Sequence, residues 1–454
     1  VTAAVTVIGG GLAGSEAAWA LARAGIDVRL YEMRGGTMTE AHRTDGLAEL
    51  VCSNSFRGRH PTQAPGLLKE EMQRLGSLIM QAGRLAEVPA GDAWAVDREL
   101  LSAEVTRTLA AHPRIEIVRE RLDEIPAEGH VVIASGPLTH PALQAAIEAR
   151  VGSRSLAFYD AIAPIVTRES VDMTQAWLQD RWQDPSPTAA YINCPLDEDG
   201  YAAFVARLLA GPHVPYKTFE EDIRHFEGCL PIEEMASRGL ETLRHGPMKP
   251  VGLTDPRADR RPYAVVQLRP DNRAISLLNL VGFQTKMTYG AQQEALRLVP
   301  ALRDAEFVRL GSLHRNTFID SPRLLRPDLA LRSEPRLRFA GQITGVEGYV
   351  ESAAAGILAG WATAAAIQGW AFEPPPATTA IGALVRYVSD PAVDPFQPMN
   401  INFGLFPDIE EIRNERGKRL KGKDKKQFLA DRALITLGDW LLAHPNVAAL
   451  GAPA

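Results

Sequence analysis

The stretch Val5-Thr6-Val7-Ile8-Gly9-Gly10-Gly11-Leu12-Ala13-Gly14-Ser15-Glu16-Ala17-Ala18 decides the fold. A short apolar run gives way to an Ala-rich pattern, and spaced glycines stand at the change. Residues 3–8 predict a buried strand, residues 12–24 a helix stopped by Gly25, and residues 26–31 a second strand. This is a βαβ opening. Gly9-x-Gly11-x-x-Gly14 at its first turn lets the chain reverse tightly, admits a pyrophosphate close to the backbone and packs helix on strand. The amides of Gly10, Gly11, Leu12 and Ala13, at the start of the helix, would face the anion.

Glu32 closes the second strand roughly 20 residues further on, where a carboxylate accepts hydrogen bonds from a ribose hydroxyl and disfavours a 2′-phosphate. A plain Gly-rich turn would have no need of that strand, helix and acid around it. A bound dinucleotide is therefore expected, although the turn alone does not say which.

Outward from this opening, residues 97–111 have helical spacing, residues 114–119 alternate as a strand, and residues 130–134 form a short apolar run ending in Ser135-Gly136. From about 156 to 308 prolines are frequent, strands short, and Tyr191, Tyr216, Phe219 and Phe226 scattered. Residues 337–340 return to a core strand, followed by Gly341 and a long Ala/Gly helix. Pro374-Pro375-Pro376 then set off a last segment with two helical stretches and a basic run. The expected fold is α/β: a Rossmann-like, glutathione-reductase-like dinucleotide domain in two parts (1–155 and 309–373), interrupted by an α+β insertion domain (156–308) and followed by a helical C-terminal segment (374–454).

With 454 residues, 46% of them hydrophobic, the chain can bury a large core in more than one domain. The formal charge of -6 excludes a protein that coats polyanions generally, so nucleic-acid contacts must come from local patches. Three cysteines without a CxxC pair, and no basic leader, imply a reduced, cytoplasmic protein. Residues 352–372 are uncharged and long enough to cross a bilayer, but they are mostly Ala and Gly. Gly356 and Gly360 suit close packing inside the cofactor domain, and no membrane partner is expected.

Two features select FAD. The Ala134-Ser135-Gly136 strand end and the distant Gly341-Gln342…Gly345…Gly348 segment resemble two-part flavoprotein sites. A helix starting near Val350 would point its positive end at the flavin, and Tyr349 is placed to stack on the isoalloxazine. The alternative for this late segment is a helix that only packs on the sheet.

The match extends further. Gly9 to Trp19, then Glu49-Leu50-Val51-Cys52-Ser53-Asn54-Ser55-Phe56-Arg57, resemble the folate- and flavin-dependent tRNA uracil-5-methyltransferases. The resemblance continues through Phe226-Glu227-Gly228-Cys229-Leu230-Pro231-Ile232-Glu233, Gly246-Pro247-Met248-Lys249-Pro250, Val281-Gly282-Phe283-Gln284-Thr285 and Gly341-Gln342-Ile343-Thr344-Gly345-Val346-Glu347-Gly348-Tyr349. It implies methylation of uridine 54 in the tRNA T loop, with methylenetetrahydrofolate giving the carbon, reduced FAD the electrons, and NADH or NADPH reducing the flavin. The related wobble-uridine protein, glucose-inhibited division protein A, shares the flavin loop but is expected to be longer. A simple FAD-dependent NAD(P)H oxidoreductase would need the flavin alone.

Uracil C5 is a poor nucleophile until a thiolate adds at C6, so such chemistry needs an activated cysteine. Cys52 and Cys229 are the candidates. The resemblance implies that Cys229 adds to uracil and that Cys52 sits near the flavin, while their order of duty stays open. Cys194 lacks a motif and reads as structural. Gln284 and Lys286 lie in the segment that resembles the folate and flavin side.

For tRNA, residues 413–426 hold eight basic and two acidic side chains, enough to neutralise several phosphates if they share a face. A solvated helix is the alternative. Arg257, Arg260, Arg261, Arg269 and Arg273, near Tyr263, offer a second patch for an extruded base.

Overall fold

A computed structural model describes residues 4–39, 41–152, 156–214, 230–258, 261–407, 409, 412–413 and 419–451. The expected βαβ opening forms: strand Val5–Ile8, helix Leu12–Arg23 and strand Val28–Tyr31, with the two strands parallel and Val5 opposite Val28. Short apolar strands buried on both faces suit a parallel sheet, because crossover helices cover it. The six-stranded sheet runs in the order Ala330–Leu331, Glu334–Phe339, Val131–Ile133, Val5–Ile8, Val28–Tyr31, Ile115–Val118. All neighbours are parallel except the first pair. This is a Rossmann-type α/β sheet, and its order reverses beside Val5–Ile8, where such folds bind ligands at the carboxyl ends of the strands.

The late helix, Tyr349–Gln368, returns to this sheet and lies against helix Leu12–Arg23. Small residues make the approach possible: a Cβ on Gly356 would stand 2.1 Å from the Ala13 carbonyl oxygen, and one on Gly360 2.9 Å from that of Ala17. By length and composition this helix would cross a membrane, yet 89% of its most apolar window is buried inside the fold. Its apolarity has a packing cause.

Between residues 165 and 309 the chain builds a second, antiparallel sheet, ordered Trp177–Leu178, Ile192–Leu196, Ala264–Pro270, Leu277–Leu280, Ile165–Thr167, Phe307–Arg309. Alternation divides its two faces. Val166, Cys194, Val266, Leu268 and Leu278 join Phe204 and Phe283 in an apolar core under helices Glu198–Ala210, Ile232–Ser237 and Tyr289–Leu296. Asn193, Gln267, Arg269 and Asn279 point the other way. The chain enters this part through strand Leu156–Ala161 and leaves through Leu313–Phe318, which pair antiparallel with Leu156 opposite Phe318.

Two buried carboxylates tie helices together. Glu16 accepts hydrogen bonds from the Ser77 hydroxyl and from the Leu78 and Ile79 amides, at the start of helix Leu78–Leu85. Glu71 accepts from the Ala380 and Ile381 amides at 2.7 and 2.9 Å, at the start of helix Ala380–Ser389. Each fills donors that a helix N-terminus leaves over. In the last segment, helix Gly422–Ala443 buries Leu429, Ala433, Leu437 and Trp440 at helical spacing, and Trp440 stacks on Trp361 with ring centroids 6.3 Å apart.

Candidate dinucleotide and thiol site

The glycine turn opens onto a cleft of about 1030 Å³, lined by Gly9, Gly11, Leu12, Ala13, Glu32, Ala134, Ser135, Gly341, Gln342 and Tyr349 among others. Its glycines have different reasons. Gly9 takes φ +101°, and a Cβ there would meet the Ala134 carbonyl oxygen at 2.5 Å. On Gly14 a Cβ would sit 1.8 Å from the Gly9 oxygen, and on Gly10 2.4 Å from Leu47 Cδ2. On Gly11 it would meet nothing within 4 Å. The protein therefore crowds every position of the turn but the one where the fingerprint needs an approaching pyrophosphate, so these residues fit a dinucleotide such as FAD.

Glu32 is held more tightly than its sequence position suggested. Its Oε2 accepts from the Gly10 amide at 2.9 Å and Arg34 Nη2 at 2.8 Å; its Oε1 accepts from the Arg34 amide at 3.0 Å and Arg34 Nε at 2.9 Å. Burial would raise its pKa, but hydrogen bonds and charge from Arg34 outweigh it and hold the group below the ordinary carboxylate range. All four lone-pair positions of the carboxylate are taken, so a ribose hydroxyl would have to share one. Arg34, two residues on, is the partner that a reading by spacing overlooked.

Around the late glycines, Gln342 Nε2 donates to Glu347 Oε2 at 2.6 Å, and a Cβ on Gly345 would strike Phe396 at 2.4 Å. Met399 and Asn400 bond this loop from the C-terminal side, the Met399 amide to the Gly345 oxygen at 3.0 Å and Asn400 Nδ2 to the Glu347 oxygen at 2.6 Å. Arg57 Nη1 reaches Glu351 Oε1, in the first turn of the late helix, at 3.2 Å. The late segment is thus bonded to the Cys52 motif as well as packed on the sheet.

Tyr349 joins the two sites. Its hydroxyl accepts from the Cys52 amide at 2.8 Å and the Ser53 amide at 3.1 Å. Its ring meets Phe56 edge-on, with centroids 6.5 Å apart. Burial first, and then the neighbouring Cys52, push the phenol well above its usual range, so it stays neutral. Stacking was the sequence expectation; the structure gives this residue a hydroxyl with a positioning task.

Cys52 is half-buried on a loop gripped from three directions. Arg98 donates to the Leu50 oxygen at 3.2 Å and the Cys52 oxygen at 3.4 Å, and pairs with Asp271 at 2.9 Å. Asn54, fully buried, donates to the Val96 and Pro270 oxygens at 3.1 and 3.0 Å and accepts from Arg269 at 2.8 Å. Lys69 donates to the oxygens of Phe56, Gly58 and Pro65 at 2.7, 2.8 and 2.9 Å, and burial pushes its pKa down to about 7. Arg98 and Lys69 carry no motif of their own. The only sequence sign of Arg98 was the helix-capping Asp97 before it.

Cys229 lies outside the described residues. The residues after it are held: the Ile232 amide donates to the Gln284 oxygen at 2.7 Å, the Lys286 amide to Glu233 Oε1 at 2.6 Å, and Lys286 Nζ pairs with Glu234. Gln284 and Lys286 thus bond to residues 232–234, just after the Glu-Gly-Cys-Leu-Pro motif. Cys194 sits in the core of that sheet, fully buried, its thiol pushed up to about 12 by desolvation. That agrees with a structural role.

The two basic patches fare differently. Arg269 is buried against Asn54 and does not belong to a surface patch, because alternation on strand Ala264–Pro270 turns it toward the Cys52 loop. Arg257 pairs with Asp255 at 2.7 Å, Arg261 and Arg273 are exposed, and Arg260 lies outside the described residues. Of residues 413–426, 414–418 lie outside them as well; Lys421, Lys423 and Lys426 are exposed at or near the start of helix Gly422–Ala443, and Lys425 is half-buried.

With this geometry the comparisons agree. A family model described as "Glucose inhibited division protein A" matches residues 4–371. A Rhizorhabdus wittichii protein named methylenetetrahydrofolate--tRNA-(uracil-5-)-methyltransferase TrmFO is 56% identical over 438 residues, 96% of this chain and 98% of the relative. The chain belongs to this methyltransferase family. A Rhodopseudomonas palustris (strain BisB18) member is 55% identical over 466 residues, 98% of each chain. Among solved structures, Aquifex aeolicus GidA in one crystal form has a TM-score of 0.70 at 16% identity, covering 99% of this chain and 76% of that one. A second crystal form gives 0.69 at 16% identity, with 98% and 74% covered. At such identity the likeness shows the shared fold.

Proposed function

We propose that this protein methylates C5 of a tRNA uridine, position 54 of the T loop, with methylenetetrahydrofolate as carbon donor, in the cytoplasm. One observation carries the reading: a thiol loop, Cys52-Ser53, is pinned by Tyr349, which itself lines the cleft whose glycine turn fits FAD. A simple NAD(P)H oxidoreductase has no need of a thiol held at that place. The relatives' printed name favours the uracil-5 reaction over wobble-uridine chemistry.

Bound at Gly9 to Gly14, reduced FAD would supply the electrons that turn a transferred methylene into a methyl group, with NADH or NADPH regenerating it. The chain's own residues do the rest. Gly11, Leu12 and Ala13 present amides to the pyrophosphate, while the Gly10 amide is spent on Glu32 and holds the turn. Gly341, Gln342 and Tyr349 close the flavin end, and Gly345 ends the turn that carries Gln342. In this reading Cys229 adds to uracil C6 and makes C5 nucleophilic, while Cys52 takes the C5 proton or acts as a second thiol. Exposed lysines at the start of helix Gly422–Ala443 receive tRNA phosphates. The division into 1–155 with 309–373, 156–308 and 374–454 belongs to the same reading.

The test incubates unmodified tRNA with the flavin-loaded protein, methylenetetrahydrofolate and NAD(P)H, then analyses nucleosides. 5-Methyluridine is expected, and none with a tRNA in which uridine 54 is replaced. Full activity with S-adenosylmethionine alone would refute the folate donor.

A further inference from the structure

One row of side chains crosses the second sheet on the face turned away from its apolar core. Arg269 stands opposite Asn279, Asn279 opposite Ile165, and Ile165 opposite Arg309. Directly opposed residues share a face. The adjacent Leu268, Leu278 and Val166 lie in the helix-covered core, so the row looks the other way. Phe307 packs toward that core, and the register shift between it and Arg309 is what turns Arg309 to the row. At the near end Arg269 Nη2 reaches Asn54 Oδ1 at 2.8 Å and Ser53 Oγ at 3.3 Å, beside Cys52.

This row is rich in donors and poor in acceptors. Arg269 Nε, Asn279 Nδ2 and the nearby Arg98 Nε are buried with no hydrogen-bond partner among the described residues. Arg98 has Asp271 as counter-charge, whereas Arg269 is met by the neutral Asn54. Arg309, half-buried, has neither a hydrogen bond nor an ion pair among the described residues. It lies within electrostatic reach of Cys52 and Tyr349, and burial followed by the Arg98 charge depresses its pKa. A guanidinium held in this way is costly unless an anion completes it.

We propose that Arg309 binds a glutamyl carboxylate of the folate substrate, which lies along this row with its pterin end toward Cys52. The inference rests on the folate reading above. A planar guanidinium offers two parallel N–H donors that match a carboxylate. The row spans about 14 Å over four strands, and Phe307–Arg309 is the outer strand of its sheet. A flat head at the thiol loop and an anionic tail at the sheet edge are what this layout accommodates. An RNA phosphate would meet the exposed Arg261 and Arg273 more readily than the half-buried Arg309.

The test uses the flavin-loaded protein with Arg309→Met and Arg309→Lys, titrated with tetrahydrofolate and with tetrahydropteroate, which lacks the glutamyl carboxylates. Arg309→Met should weaken tetrahydrofolate about 10- to 100-fold and Arg309→Lys less, the range expected for a charge-assisted pair. Tetrahydropteroate should bind all three proteins alike, and tRNA affinity should not move. Equal loss for both ligands, no loss for either, or loss of tRNA affinity instead would overturn the assignment. If the unaltered protein binds no tetrahydrofolate, the folate reading falls and takes this assignment with it; if it binds and Arg309→Met does not discriminate, this assignment alone fails.

Discussion

The Tyr349 hydroxyl accepts hydrogen bonds from two successive amides, those of Cys52 and Ser53, across almost 300 residues of chain. A side chain from the first turn of the late helix thereby sets the backbone of the thiol loop. Tyr349→Phe keeps the ring and its contact with Phe56 but leaves both amides without their acceptor, at about 1–3 kcal/mol each where water cannot replace it. We expect a lower urea midpoint and a methylation rate at least about tenfold down, with flavin still retained. Unchanged stability together with an unchanged rate would contradict a positioning role.

Glu32 and Arg34 form a buried pair, with side chains 5% and 2% exposed. Glu32→Gln removes one of the two carboxylates that compensate Arg34, the other being Glu49 at 3.3 Å, so the loss should stay below the roughly 3–5 kcal/mol of a buried charge left wholly unpaired. Thermal melts of flavin-free protein should show that loss. Flavin retention after gel filtration should fall in parallel, since the Gly10 amide loses its charged acceptor. Full retention would mean that the glycine turn keeps its shape unaided.

Cys194 should be inert in the native protein. Its thiol has no solvent exposure and is pushed up to about 12, so the reactive thiolate is scarce at pH 8. Alkylation followed by peptide mapping is expected to label the Cys52 peptide under native conditions and the Cys194 peptide only in denaturant. Native labelling of Cys194 would show that the second sheet opens.

The pH dependence of stability has a contribution from Glu16, whose pKa burial raises from 4.5 to about 7. The native state then holds this proton more tightly than the unfolded chain does between those values. The contribution is greatest below pH 4.5 and declines as pH rises toward 7, by at most about 3 kcal/mol. Glu16→Gln keeps an acceptor for the Leu78 and Ile79 amides and should flatten that part of the curve. A slope that survives the substitution would assign the effect elsewhere.

Much of the fold was legible because period and punctuation agree over short range. Residues 5–31 carry a change of period, glycines at the change and a closing acid, and each has a local cause. The return of the chain at 337–368 was legible for the same reason: an apolar strand, then small residues at helical spacing. The candidate site was legible only as motifs. That Tyr349 spends its hydroxyl on Cys52, that Arg269 turns inward, and that Arg34 occupies Glu32 are facts of tertiary register. Arg269 shows the limit most clearly, since the arginines near it in sequence, Arg261 and Arg273, are exposed in the flanking loops and only its place inside strand Ala264–Pro270 buries it.

The paired strands Leu156–Ala161 and Leu313–Phe318 also bear on how such a chain is assembled in evolution and in the laboratory. Departure and return run side by side, with Leu156 opposite Phe318, so the second sheet hangs from the first like a branch from a trunk. A cassette could be lifted out or exchanged at that stalk, and the gap closed by a single turn. The thiol loop would then lose Arg269 and Asp271, while the glycine turn would keep every neighbour that shapes it.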